Sequence, residues 1–195
     1  MTAAYRGGRG QASAGVTAVL PAPGLARPGG GKSHPLDIAA TIRPASGPAD
    51  IAAVAQLFAA YAAALGIDLG YQDFETELAS LPGKYAPPFG ALLLARDVAG
   101  RPVGCVALRS LADAGACEMK RLYVAPEGRG LGLGKALLEA VLGEARQIGY
   151  REIRLDTLPT MIAAQALYRA RGFEPMAPYY DTPVAGTAFL RLRLS

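Results

Sequence analysis

Leu122-Tyr123-Val124-Ala125-Pro126-Glu127-Gly128-Arg129-Gly130-Leu131-Gly132-Leu133-Gly134-Lys135 is the stretch on which the reading of this chain turns. A strand-like run leads into it. An amphipathic run leaves it, with Leu133, Leu137, Ala140, Val141 and Ile148 in helical register and Gly149 as the stop. Small residues at a helix start leave the first backbone N–H groups uncovered, and those donors together with the helix dipole favour a phosphate. Arg129 adds a charge that does not titrate. The spacing excludes two common phosphate loops. A P-loop needs Gly, four residues, then Gly-Lys-Ser/Thr; here Arg129 stands at the first Gly and Ala136 replaces the hydroxyl. The tail segment Gly31-Lys32-Ser33 fails too, with Ala26 at the first position and His34-Pro35 following. A dinucleotide fingerprint needs G-x-G-x-x-G, whereas Gly130, Gly132 and Gly134 are spaced G-x-G-x-G.

Upstream, Ala39 to Arg43 predicts a short strand, and Asp50 reads as the N-cap of an Ala-rich helix, Ile51 to Ala64, stopped by Gly66. Residues 71–80 predict a shorter helix and Pro82 to Pro88 a loop. Ala91–Ala95 and Val103–Arg109 flank the Ala99-Gly100 turn as hairpin strands, and Cys117–Val124 is the next strand. Downstream come a strand (Glu152–Asp156), a helix (Thr160–Arg171, stopped by Gly172) and a last strand, Ala188–Leu194, with alternating Leu and Arg. The pattern is α+β, a mixed and mostly antiparallel sheet flanked by helices.

With 51% apolar and 18% charged residues, most of the 195-residue chain should fold. No run approaches 18 apolar residues, which argues against a membrane span. The net charge of +4 resides entirely in residues 1–43; residues 44–195 hold 15 basic and 15 acidic groups. A neutral domain is a poor binder of nucleic-acid backbone. Residues 1–36 read as a flexible, basic, Gly/Pro-rich tail, favoured over a signal peptide, and 37–195 as the domain. Two cysteines and a lone histidine, His34, exclude a disulfide framework, a His-based triad and most zinc sites. The expectation is a cytoplasmic protein without a metal.

The R-G-x-G-x-G turn opening a helix after a strand resembles the GNAT acetyltransferase superfamily. Two more blocks carry the likeness. Ile153-Arg154-Leu155-Asp156-Thr157 with Ala164, Leu167-Tyr168 and Gly172-Phe173 is similar to the family's second block, and Glu118-Met119-Lys120-Arg121-Leu122-Tyr123-Val124 to its central strand. The resemblance spans roughly residues 38–195. It implies a GNAT-like fold and an N-acetyltransferase that moves acetyl from acetyl-CoA to a primary amine of a small molecule or peptide. The pantetheine arm would pair with the backbone of Leu122, Tyr123 and Val124, and the pyrophosphate with Arg129, Gly130, Leu131, Gly132, Leu133, Gly134 and Lys135. Many members carry Asn where this chain has Met161, seven residues before Tyr168.

The resemblance also implies that Tyr168, near the thioester sulfur, is the general acid and contacts the cofactor; the alternative is a helix-packing aromatic. Glu118 is the candidate base, on one strand face with Lys120 and Leu122 by alternation; the alternative is a carboxylate paired with Lys120 or Arg109. Asp156 reads more readily as a turn cap than as a group orienting an amine. Cys105 and Cys117 read as small core residues, with Cys117 opposite Arg109. Tyr179, Tyr180 and Asp181, on a Pro-rich loop, are candidates for binding the acceptor. The rival to an enzyme is a non-catalytic acyl-CoA-binding or regulatory module of the same fold. A homodimer is compatible with the sequence and not demanded by it.

Overall fold

The computed structural model describes residues 40–195, so the tail at 1–36 and His34 lie outside the described residues. The elements run β1 (Ala40–Pro44), α1 (Gly47–Leu65), α2 (Phe74–Ala79), β2 (Ala91–Asp97), β3 (Pro102–Ser110), β4 (Ala116–Val124), α3 (Leu133–Ile148), β5 (Glu152–Thr157), α4 (Ile162–Ala170), β6 (Glu174–Pro175) and β7 (Ala188–Arg193). The seven strands form one sheet in the order β1-β2-β3-β4-β5-β7-β6. All pairs are antiparallel except β4–β5, which α3 connects as a crossover.

Each face of the sheet carries its own core. Leu93, Val106, Leu108, Cys117, Met119, Ile153 and Leu155 face α3, whose Leu137, Leu138, Val141 and Leu142 are fully buried. Each of these α3 side chains contributes about 1.5–3 kcal/mol by leaving water. Leu92, Leu94, Cys105 and Ala107 face the other way, against Val54, Leu57 and Phe58 of α1 and Phe74 of α2. Burial on both faces explains why β2 reads as a continuous apolar run rather than an alternating one.

Several local expectations change. The N-cap of α1 is Ser46, and Asp50 lies in the first turn, where its carboxylate accepts the Ser46 N–H at 3.0 Å. Pro48, tolerated in a first turn, had hidden this earlier start. The helix Gly47–Leu65 is long and apolar enough, by length and composition, to cross a membrane. Its Val54, Leu57 and Phe58 are packed on the sheet instead, as in a core helix. Helix α4 begins at Ile162 with Met161 as its N-cap. In the β3–β4 hairpin Cys117 faces Ser110, and Glu118 faces Arg109; both cysteines are buried and free.

Two irregularities shape the site. Pairing between β4 and β5 covers only Ala116–Glu118 against Glu152–Arg154, after which β5 continues alongside β7 alone. Beyond that point β4 bulges: Ala107 pairs with Lys120 but Cys105 with Tyr123, and Arg121 has φ +58°. Lys120 and Arg121 therefore both reach the α1 side, whereas Leu122 packs on the α3 side. The expected common face of Glu118, Lys120 and Leu122 is broken by the extra residue.

Candidate active site

The split between β4 and β5 opens a narrow cleft. Met119, Lys120, Arg121 and Leu122 form one wall and Leu155, Asp156, Leu158, Met161 and Tyr168 the other. Tyr61, Leu65, Ile67, Leu69, Tyr71 and Gln72 close it from the α1–α2 side.

Beyond Val124 lies the glycine turn. Gly130 and Gly132 have φ +79° and +73°, the left-handed region where a Cβ is strained. A Cβ on Gly128 would meet Leu133 Cδ2 and Val124 Cγ1, both at 3.1 Å, whereas one on Gly134 would make only ordinary contacts. Helix α3 starts without a side-chain cap, and Ala136 N is the first to bond back, to Gly132 O at 3.1 Å. The N–H groups of Leu133, Gly134 and Lys135 are left outside the helical ladder. Exposed donors, a dipole and an uncapped end fit a pyrophosphate, with Lys135 and Arg129 beside it. The Arg129 Nε donates to Val124 O at 3.2 Å, and the opposite edge of Val124 pairs with Gly104. Tyr123 turns to the other face, edge-on to Tyr61 at 6.1 Å between ring centroids.

Tyr168 is buried, edges the cleft and packs on Phe173. Burial, with Tyr61 and Asp156 nearby, pushes its phenol well above the usual range, so it holds its proton at neutral pH. Glu118 is fully buried. One of its oxygens accepts from Arg109 Nε and the other from the Tyr179 hydroxyl at 2.8 Å, so a direct approach to an acceptor is closed to it. Lys120 Nζ lies 3.8 Å from Glu118 and 3.6 Å from Asp156. Burial draws the Lys120 ammonium below its ordinary range, against the pull of both carboxylates. Asp156 thus faces the cleft and Lys120 rather than capping the turn that follows β5. Next to it, Arg121 binds Glu77 of α2 twice, at 2.9 and 3.1 Å, and lies over the rings of Tyr61 and Phe74.

The loop between β6 and β7 brings Tyr179 and Tyr180 over the sheet. Both stack edge-on with Phe189, and Lys120 Nζ lies 5.9 Å from the Tyr180 ring centroid. Asp181 is exposed to solvent. Sequence reasoning passed over Lys120, Gln72 and Tyr61. The signal available was the run Glu118-Met119-Lys120-Arg121, three charges inside a strand whose neighbours are core.

Known proteins resemble this chain over most of its length. The model of the acetyltransferase (GNAT) family matches residues 54–173. An uncharacterized N-acetyltransferase of Schizosaccharomyces pombe is 41% identical over 148 residues, covering 76% of this chain and 91% of that one. An aminoglycoside N(6')-acetyltransferase type 1 of Stenotrophomonas maltophilia is 36% identical over 159 residues, covering 77% and 97%. A Salmonella typhimurium protein solved with its cofactor acetyl-CoA shares the fold with a TM-score of 0.57 at 23% identity, over 80% of this chain and 95% of that one. With the family model spanning most of the described domain, this chain belongs to the GNAT acetyltransferases and is an acetyl-CoA-dependent enzyme.

Proposed function

We propose that the enzyme transfers acetyl from acetyl-CoA directly to a primary amine of a small molecule or peptide. One observation carries this reading: Leu122, on the strand that leads into the uncapped start of α3, lines the same cleft as the Tyr168, Lys120 and Asp156 side chains at the β4–β5 split. When bound, acetyl-CoA supplies a thioester acetyl group. The N–H groups at the start of α3 and the Arg129 and Lys135 charges hold its pyrophosphate, and the open edge of β4 at Leu122–Val124 holds its amides in the manner of an added strand. The protonated phenol of Tyr168 donates to the departing thiolate sulfur. Glu118, sealed from solvent, takes the amine's proton by relay: the Tyr179 hydroxyl that already donates to it passes its proton inward as it receives one. Tyr180 forms part of the acceptor wall, and Asp181 lies at its outer rim, placed to attract a cationic amine. A small-molecule acceptor is supported by the relative named for aminoglycoside acetylation. A cytoplasmic location belongs to the same proposal, supported by two buried cysteines that stay free.

Free-thiol release from acetyl-CoA with a panel of primary amines tests the reading. Amine-dependent release is expected; binding of acetyl-CoA with no release above background for any amine would make the chain a binding module.

A further inference from the structure

The charges lining the cleft are all accounted for. Arg121 is held by both oxygens of Glu77, at 2.9 and 3.1 Å. Lys120 lies between Asp156 at 3.6 Å and Glu118 at 3.8 Å, and Glu118 is also bound by Arg109. Around the split Arg109, Lys120 and Arg121 are matched by Glu77, Glu118 and Asp156, with the half-exposed Lys84 a further partner of Glu77 at 3.1 Å, and among the described residues no cation lining the cleft is without a carboxylate partner. The unmet capacity is of the opposite kind. Gln72 Oε1 is buried without a hydrogen-bond partner, while its Nε2 donates to the Tyr71 hydroxyl at 3.0 Å. Gln72, Tyr71 and Tyr61 line the same wall, beside Leu65, Ile67 and Leu69.

We infer that the acceptor is a primary amine carried on an apolar or aromatic body, with no carboxylate beside the amine. The inference rests on the acetyl-transfer reading above and narrows its substrate class. An amine entering here meets the Asp156 carboxylate and the free Gln72 carbonyl as hydrogen-bond acceptors, and the faces of Tyr61 and Tyr71 stabilise any positive charge. An amino acid would bring a third carboxylate to a desolvated cluster in which Lys120 already serves two.

Matched pairs that differ only in the carboxylate test this: tyramine with tyrosine, phenethylamine with phenylalanine, histamine with histidine. With free-thiol release as the readout, kcat/KM should favour the amine of each pair by roughly tenfold or more. Asp156→Asn takes one carboxylate from Lys120, so the amine-to-amino-acid ratio should fall by about tenfold. Lys120→Met leaves Asp156 unbalanced, so the ratio should rise. Ratios are insensitive to a general loss of rate or of folded enzyme. Equal or better turnover of the amino acids by the parent enzyme overturns the inference and leaves acetyl transfer standing. An unchanged ratio in both variants overturns the charge-balance argument. Turnover of neither series overturns the acetyl-transfer reading, and the inference with it.

Discussion

At Tyr168 and Glu118 the same physical fact, burial, has opposite consequences. Burial of a phenol favours its neutral form, so Tyr168 retains the proton that a leaving thiolate needs. Tyr168→Phe keeps the packing against Phe173 and deletes that proton. Turnover should fall by roughly 10- to 10⁴-fold while acetyl-CoA affinity measured by calorimetry stays within about twofold. A rate near that of the parent would return Tyr168 to a packing role. Burial of a carboxylate is costly unless it is fully paired, and Glu118 is paired on both oxygens. The relay through Tyr179 predicts that Tyr179→Phe also lowers kcat, by about 10- to 100-fold, with the KM for acetyl-CoA unchanged. An unaltered kcat would remove Glu118 from the proton path.

Among the elements, α3 was legible to the residue, because a 3.6-residue apolar period between two glycines leaves little freedom. The β4 bulge was not. Alternation assumes one residue per step, and nothing in Lys120-Arg121-Leu122 announces that Arg121 takes φ +58° without being a glycine. What holds it there is long-range: the bidentate bond to Glu77, 44 positions away. The Asp156 side chain was misjudged for a related reason, since a residue ending a strand caps a turn or faces a cleft depending on where the neighbouring strand stops. Two predictions belong to this scale. Gly132→Val adds a branched Cβ at φ +73°, at a cost of about 1–2 kcal/mol, and crowds the pyrophosphate turn. Acetyl-CoA affinity should drop sharply in calorimetry with the circular dichroism spectrum retained. The Glu77 carboxyl is raised by burial but pulled further down by Arg121 and Lys84, to about 2 from an ordinary 4.5. Its stabilising contribution is therefore present above pH 4.5 and lost as the pH falls toward 2. Glu77→Gln should cost about 3–5 kcal/mol at neutral pH and flatten the acid limb of the denaturation midpoint across that window. A parent-like midpoint at pH 7 would mean that the pair does not tie α2 to β4.

On the scale of the whole molecule, the sheet is two blocks, β1–β4 and β5–β7, joined by a short parallel ladder of Ala116–Glu118 with Glu152–Arg154. Below the split the blocks are held by that ladder and by α3; above it β4 and β5 no longer pair, and the β4 edge that leads to the start of α3 is open. A ligand that hydrogen-bonds to β4 while its pyrophosphate rests on α3 crosses the seam where β4 and β5 cease to pair. It therefore binds the native state and has no equivalent site in the unfolded chain. At a hundredfold excess over Kd such a ligand stabilises by about 2.7 kcal/mol. For a domain of this size that raises Tm by about 5–10 °C. Thermal denaturation with and without acetyl-CoA should show this shift in the parent enzyme and in Tyr168→Phe, which keeps the site and loses only the proton. The shift should vanish in Gly132→Val. If Gly132→Val is stabilised as much as the parent, the pyrophosphate does not sit on the α3 turn and the seam is closed by some other contact.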